Sequence, residues 1–354
     1  GLRGRPPEGC ESEQKRDRQR PEAQIGPEAQ ERGWKTAPTG IAHGTVTVIV
    51  DGTPFEVTTL RRDVATDGRR AVVAFTRDWA EDAQRRDLTI NGLYLDRSGV
   101  VHDHVGGLAD LEARRVRFIG SACERIREDY LRILRFFRFH ARYAEGAPDP
   151  DGLLASVRRR EGLASLSRER VRAELLKLLV ARRAADTVAV MAQAGLLAPL
   201  IGGAYRLARL ARLTGLDARA PDALLRLAAL SQFVSEDAER LRARLRLSNA
   251  EAERLEKIGD MLPAISPGGD EAAVRRLLYR EGAEAYRDRV RLAWADAGKE
   301  PGDWRWATLL ALPDRWKGPA SPYRRNRRGG LLARVQKSVF REHTRESQRP
   351  GNSK

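Results

Sequence analysis

"EDYLRILRFFRF", residues 128–139, is the stretch of the chain that decides its fold. Arginine recurs at every third position, at Arg132, Arg135 and Arg138, directly after the acidic residue Asp129. In a helix a spacing of three places these four side chains along one oblique ridge. Apolar residues fill most of the other positions, which predicts a helix buried on several sides whose arginines need partners. We interpret the ridge as a binding element; the alternative is a ladder of i,i+3 ion pairs on a surface helix.

A carboxylate beside an arginine can read the edge of a nucleobase. The carboxylate accepts a hydrogen bond from an exocyclic amine, and the arginine donates to the neighbouring ring nitrogen. Cytosine and adenine present an amine beside an acceptor nitrogen, whereas guanine and uracil present a carbonyl beside an N–H. A pair formed by Asp129 and Arg132 would therefore accept C or A and reject G and U, because an unmatched buried polar group costs about 1–3 kcal/mol.

The composition of the chain predicts an α+β protein with a small mixed sheet followed by a mostly helical remainder. The runs GTVTVIV and PFEVTTL surround a DGT turn, and the runs TINGLYLD and VVHDHV surround RSG, as in hairpins. From residue 121 the segments are amphipathic and carry Ser, Asp or Asn caps, and the first helix is expected to continue to about residue 144. The predicted regions are 1–33, disordered or non-native; 34–120, the sheet-containing head; 121–200, a helical neck; 201–313, a helical body and tail; and 314–354, a basic and disordered tail.

The net charge of the 354-residue chain is +16, which favours a polyanionic partner such as nucleic acid. Residues 315–354 hold twelve Lys and Arg against two Glu, so much of that charge lies in the tail.

No apolar run approaches the 18 residues typical of a membrane span, and the N-terminus has no apolar signal core. Two distant cysteines form no disulfide framework, which favours a cytoplasmic location.

Three motifs and the strands before them resemble one known family. The motifs are RRDLTINGLYLD (85–96), VHDHVGGLADLEARRVRFIG (101–120) and RIREDYLRILRFFRFHARY (125–143), and residues 43–63 resemble the preceding strands. Together they resemble the class II tRNA nucleotidyltransferase/poly(A) polymerase family, which includes the CCA-adding enzymes. The resemblance implies an incomplete nucleotidyltransferase head, a nucleotide-reading neck, and a helical body and tail that hold tRNA.

The resemblance also implies roles for single residues. Arg86 would bind the phosphates of the incoming nucleotide, Asn91 would position the adjacent turn, and Arg135 and Arg138 would complete the pocket. Gly106 and Gly107 would form the hinge between head and neck, next to His104 where the family usually has Pro. The implied nucleotide-binding residues are Arg86, Asn91, Asp129, Arg132, Arg135 and Arg138.

The family reaction uses two Mg²⁺ ions held by carboxylates of an Asp-x-Asp strand, which should lie before residue 40. That motif is not found; the only comparable spacing is Glu11-x-Glu13, in a segment without strand propensity. Glu56 is a candidate accessory carboxylate, the alternative being an exposed strand residue, and no metal ligand is identified. Three explanations stay open: an altered or truncated upstream reading frame, which we favour, a metal-binding strand supplied from elsewhere, or a non-catalytic relative.

The expected function is CCA addition, the transfer of C and A from CTP and ATP to a tRNA 3′ end, impaired if the metal-binding motif is truly missing. A poly(A) polymerase shares the same motifs and is the first alternative. A non-catalytic nucleotide- or tRNA-binding protein is the alternative from another class. The expected partners are a tRNA or other RNA 3′ end, ATP and CTP, with no membrane.

Overall fold

The computed structural model describes residues 29, 31–40, 44–67, 70–259 and 264–316 of the chain. Most of the predicted 1–33 segment, with Glu11 and Glu13, and nearly all of the 314–354 tail lie outside the described residues. The chain divides after Leu310 into two units, and the second is represented here by residues 311–316. The predicted domain boundaries stay predictions.

The head begins with a three-stranded antiparallel sheet, β1-β2-β3. Its strands are β1 (Lys35–Gly40), β2 (Thr45–Val50) and β3 (Thr53–Thr58). Val50 pairs with Thr53 across the turn, where Asp51 has φ 49° and Gly52 has φ 79°. Two positive φ angles in a two-residue loop are the geometry that matches the twist of a hairpin. The predicted DGT hairpin is therefore confirmed.

Two further ribbons complete the described strands of the head. They consist of β4 (Arg61–Asp67) with β5 (Arg70–Phe75), and of β6 (Leu93–Leu95) with β7 (Val101–Asp103). The sequence predicted the second ribbon and not the first. All described strand pairs are antiparallel and join sequence neighbours, so three small sheets replace the single mixed sheet that was expected. Residues 115–118 form no strand and keep one isolated bridge, Leu88 to Phe118.

The rest of the described chain is mainly helical, so the α+β class with a helical remainder is confirmed. None of the described helices is both long enough and apolar enough to cross a bilayer. The helices are α1 (Trp79–Gln84), α2 (Gly107–Glu112), α3 (Ala122–Glu128), α4 (Leu131–Tyr143), α5 (Pro150–Arg158), α6 (Arg168–Leu179), α7 (Ala184–Gln193), α8 (Leu197–Ile201), α9 (Leu207–Leu216), α10 (Ala223–Ser231), α11 (Asp237–Leu245), α12 (Asn249–Gly259), α13 (Glu271–Glu281), α14 (Ala283–Ala297), α15 (Trp304–Leu310) and α16 (Leu312–Arg315).

The expectation of one helix from 121 to 144 is wrong, because the chain breaks between α3 and α4. Asp129 is extended, with φ −155° and ψ 110°. Its carboxylate accepts the backbone N–H of Leu131 at 3.0 Å, as an Asp does when it starts a new helix. A side chain that satisfies a free N–H competes with the helical hydrogen bond, and here it restarts the helix.

One apolar core connects the exit of the head with the helices. Phe118 of the head stacks on Phe136 of α4 with ring centroids 5.3 Å apart, and Phe136 contacts Phe137 edge to face. Phe136 and Phe137 are fully buried, so they fix α4 in the core as the sequence suggested. Phe139 differs, because it is half-buried and lies among arginines at the outer side of α4.

Arginine side chains cap the C-terminal ends of several helices. The last carbonyls of a helix have no partner within it, and a guanidinium satisfies them while complementing the negative end of the helix dipole. This accounts for part of the arginine content that the composition alone assigns to nucleic acid. The donors and their accepting carbonyls are Arg132 to Arg125, Arg226 to Leu179, Arg240 to Ile201, Arg212 to Ala295 and Arg209 to Gln232.

Candidate nucleotide-reading site

Asp129 stands in the break between α3 and α4, outside the helix that carries Arg132, Arg135 and Arg138. Its side chain is 34% exposed. Besides the Leu131 N–H, its carboxylate accepts a hydrogen bond from Arg170 Nη2 of α6 at 2.6 Å. The break therefore presents a partly exposed carboxylate that is held by a backbone N–H of α4 and by an arginine of α6.

Arg132 remains beside Asp129 despite the break. Its backbone N–H donates to the Asp129 carbonyl at 3.0 Å. Its guanidinium donates from Nη1 to the Arg125 carbonyl at 3.0 Å and pairs through the same nitrogen with Glu128. Asp129 and Arg132 are thus backbone neighbours at the start of α4, and each side chain has its own partners, Arg170 for the carboxylate and Glu128 for the guanidinium.

Arg135 links α4 to the head. Its Nε donates to the buried carboxylate of Asp87 at 2.5 Å, and the other oxygen of Asp87 accepts from Asn91 Nδ2 at 2.8 Å. Burial alone would raise the pKa of Asp87, but the hydrogen bond and charge of Arg135 outweigh it and lower that pKa. The predicted residues Asn91 and Arg135 therefore meet on one carboxylate that the sequence reading did not single out.

Arg138 points toward α6 instead of toward solvent. Its Nε pairs with Glu174 at 2.5 Å, and both side chains are largely buried. The guanidinium also lies 4.2 Å from the centre of the Phe139 ring, within cation–π distance. Arg138 consequently has a carboxylate and an aromatic partner within the protein.

Arg86 belongs to a separate cluster around Asp82 of α1. The Asp82 carboxylate accepts from the Arg61 N–H, Arg85, Arg86 and the Tyr94 hydroxyl at 2.7–3.0 Å. Burial alone would raise the pKa of Asp82, but these hydrogen bonds lower it to about 2. The Arg86 side chain is held at one edge and stays 38% exposed, so its outer edge can meet a phosphate.

Gly106 and Gly107 start helix α2. Gly106 has φ 77°, and a Cβ at Gly107 would lie 2.4 Å from the Thr89 carbonyl oxygen, so each position requires glycine. Asp103 accepts four successive backbone N–H groups, from Val105 to Leu108, and its pKa is lowered by them against the effect of burial. The turn is well anchored, and the hinge role stays a prediction.

Glu56 is the predicted residue that the described contacts do not connect to the others. It lies exposed on β3, opposite Thr47 of β2. Among the described residues, no three His, Cys, Asp or Glu side chains gather into a group that could hold a metal ion. The donor set that Mg²⁺ requires is thus not met by the described part of the chain, and we derive no step through the metal.

The sequence reading missed the acidic partners of the arginines. Glu128 precedes Arg132 by four residues, so the i,i+4 rule for helical ion pairs could have found it. Asp87 and Glu174 lie 48 and 36 residues from their arginines, and Arg170 lies 41 residues from Asp129. Those three contacts follow from how α4 packs against the head and α6, which no local spacing shows.

Comparison with known proteins gives two domain matches in the order of the chain. Residues 22–117 match the Poly A polymerase head domain. Residues 150–204 match the domain described as the probable RNA and SrmB-binding site of polymerase A. The first match covers the strands and the Asp82 cluster, and the second covers α5–α7 with Arg170 and Glu174.

Named relatives and a solved structure agree with these domains. The chain is 50% identical over 159 residues to the mitochondrial CCA tRNA nucleotidyltransferase 1 of Danio rerio, covering 44% of this chain and 37% of that protein. It is 40% identical over 171 residues to the CCA-adding enzyme of Leuconostoc citreum, covering 48% and 42%. The CCA-adding enzyme of Bacillus stearothermophilus in complex with CTP superposes with a TM-score of 0.60 and 29% identity, covering 78% of this chain and 69% of that one.

The chain spans less than half the length of these two curated relatives. The domain order, the identity with the named relatives and the fold agree with one another. The chain thus contains regions that match two domains of poly(A) polymerases, and the named relatives and the superposed structure are CCA-adding enzymes.

Proposed function

We propose that this chain is the nucleotide-selecting part of a CCA-adding nucleotidyltransferase, which transfers C and A from CTP and ATP to the 3′ end of a tRNA. The observation that carries the proposal is the adjacency of Asp129 and Arg132 at the start of α4. This pair has the donor and acceptor order that matches cytosine and adenine.

The pair can read a base without giving up its own contacts. A carboxylate has about four acceptor sites, and the contacts described for Asp129 occupy two. Within the described residues both side-chain hydrogen bonds of Arg132 leave from Nη1, so Nε and Nη2 can donate to a ring nitrogen. The anchors from Arg170 and Glu128 would hold the pair in place while the base binds.

The other predicted residues take supporting roles in this proposal. The exposed edge of Arg86 would bind the triphosphate. Arg135, Arg138 and Asn91 would form a rigid wall of the pocket, because Asp87 and Glu174 fix them. Glu56 is retained as the candidate accessory carboxylate, and Mg²⁺ stays an expectation from the family whose ligands the described residues do not supply.

The partners are an RNA 3′ end, CTP and ATP, and the named relatives favour CCA addition over poly(A) synthesis. The Danio rerio relative is named as mitochondrial, so the cytoplasm expected from the sequence becomes one of two candidate compartments, with the mitochondrion as the other.

The test is incubation with tRNA that lacks its CCA end, Mg²⁺ and labelled CTP or ATP, together with equilibrium binding of the four nucleoside triphosphates. Incorporation of C and then A supports the proposal, and tails of A alone support poly(A) synthesis. Nucleotide binding without incorporation, lost in Asp129→Ala, supports a non-catalytic binder. Equal binding of CTP, ATP, GTP and UTP would contradict selection by Asp129 and Arg132.

A further inference from the structure

The outer side of α4 carries a stack of aromatic and arginine side chains beyond the nucleotide-reading pair. Phe139 stacks on Tyr143 with centroids 5.7 Å apart and ring planes at 26°. Arg138 lies 4.2 Å from the centre of the Phe139 ring, and Arg142 lies 5.4 Å from that of Tyr143. Tyr143 is 40% exposed although it is adjacent to a continuous apolar core that buries Phe136 completely.

The surface around Tyr143 is positively charged. Arg142 is exposed, and no carboxylate of the described residues pairs with it. Glu145 is shared by Arg114 and Arg182, both more than half exposed, so two guanidiniums share one carboxylate and Arg142 adds a further positive charge. Arg182 also donates to the carbonyl of Ala144, which places this charge directly after Tyr143.

We propose that this surface, formed by Phe139, Arg142, Tyr143, Arg114 and Arg182, binds the unpaired 3′ end of an RNA. Aromatic faces stack unpaired bases without regard to sequence, and neighbouring arginines neutralise the phosphates. Arg142 over Tyr143 extends the stacking surface, since a guanidinium plane also stacks on bases. The charge and the aromatic exposure together match a single-stranded polyanion.

The surface lies within reach of the nucleotide-reading pair. Tyr143 lies eleven positions after Arg132 in helix α4, a distance of about 16 Å along the helix axis. A short unpaired strand can span that distance, at about 3.4 Å per stacked nucleotide. Of the five residues of the surface, only Arg182 lies within residues 150–204, the region matched by the RNA-binding domain. The proposal for this surface rests on the proposed function, because it takes an RNA 3′ end to be a substrate.

The test compares two fluorescent RNA hairpins, one with a four-nucleotide 3′ overhang and one blunt, by fluorescence anisotropy. We expect the protein to bind the overhang hairpin more tightly, and Tyr143→Ala to lower that affinity about tenfold while the blunt hairpin is unaffected. Tyr143→Phe keeps the ring and should stay within about twofold of the unsubstituted protein. Trp304→Ala removes another exposed aromatic, 73% exposed and adjacent to Arg305, and should change neither affinity.

Two results would overturn the inference. One is an unsubstituted protein that binds both hairpins equally; the other is a Tyr143→Ala variant that keeps the preference for the overhang or loses both affinities alike. Thermal unfolding of each variant verifies the fold. Nucleotide binding is measured separately, so a protein that fails to select CTP and ATP but shows a Tyr143-dependent overhang preference contradicts the proposed function and upholds this surface.

Discussion

Two carboxylates hold arginines in this molecule in opposite ways. Asp82 in the head is 1% exposed at its side chain and accepts hydrogen bonds from four residues. Asp129 between α3 and α4 is 34% exposed and accepts from Arg170 and one backbone N–H. A carboxylate whose acceptor sites are filled and buried can only support its neighbours, whereas one with open sites facing solvent can bind a ligand. We therefore expect Asp82 to stabilise the fold and Asp129 to be available for binding a ligand.

The largest effect should come from removing the buried carboxylate. Asp82→Ala leaves Arg85 and Arg86 without their shared partner, and loss of one side of a buried pair costs about 3–5 kcal/mol. The free energy of unfolding, measured by urea titration, should fall by that amount. Asp129→Ala is the matched control and should lose about 1 kcal/mol, the value of a helix cap. Equal losses in the two variants would remove the distinction between the carboxylates.

Nucleotide binding should be weakened more by Asp129→Ala than by Asp82→Ala. Asp129→Ala should weaken CTP and ATP about 10- to 100-fold, because a hydrogen bond to a charged group is worth about 1.5–3 kcal/mol. The weak affinity for GTP and UTP should not change. Glu124→Ala on α3 removes another exposed carboxylate paired with an arginine, Arg127, and should leave all four affinities as they were. Isothermal titration calorimetry measures these affinities, and unaltered CTP binding in Asp129→Ala would contradict the base-reading role.

The position of Asp129 should depend on its neighbour Tyr130. A Cβ at Gly162 would lie 2.0 Å from a Tyr130 ring carbon, so Gly162→Ala forces the ring and the break to move. We expect a loss of about 1–3 kcal/mol in unfolding free energy, together with weaker discrimination between CTP and GTP.

Gly152→Ala is the matched control for that variant, since its Cβ would lie 2.7 Å from the Phe136 ring in the core, away from the break. It should lose stability and keep its discrimination. A second substitution, Tyr130→Leu, should restore part of the stability of Gly162→Ala by removing the ring. If both glycine variants discriminate as the unsubstituted protein does, the Tyr130 contact does not position Asp129.

The smallest effect should be the dependence of stability on pH. The pKa of Asp82 falls from 3.8 to about 2 on folding, so its ionised form stabilises the fold fully above pH 3.8. That contribution is lost as the pH falls through about 2. Urea unfolding between pH 5 and pH 2.5 should therefore show a steeper decline for the unsubstituted protein than for Asp82→Asn. Parallel declines would show that Asp82 titrates alike in the folded and unfolded chain.

Local patterns predicted those elements that local interactions form. The hairpin at Asp51–Gly52 has the turn residues that its backbone angles require, and the caps at Ser121 and Ser167 mark real helix starts. The break at Asp129 escaped prediction because apolar periodicity continues through it. The signal that could have shown it is a capping residue inside a helical pattern.

In the candidate site, too, local patterns predicted some contacts and missed others. Asp129 and Arg132 are three residues apart, and their adjacency survives the break because one backbone hydrogen bond joins them. The contacts of Arg135 with Asp87 and of Arg138 with Glu174 bridge different elements, so they depend on tertiary packing. The roles assigned to these residues stay predictions until the variants are measured.

The capping arginines have a consequence for how RNA binding responds to ionic strength. Binding to RNA releases the counterions of each phosphate that a cation neutralises, and the logarithm of the affinity falls with the logarithm of the salt concentration in proportion to that number. An arginine that already donates to a helix carbonyl, such as Arg226 or Arg240, is not free to neutralise a phosphate. Within the described part of the chain, arginines held in this way should add nothing to the slope of a salt titration, so that slope should be shallower than the number of described arginines implies.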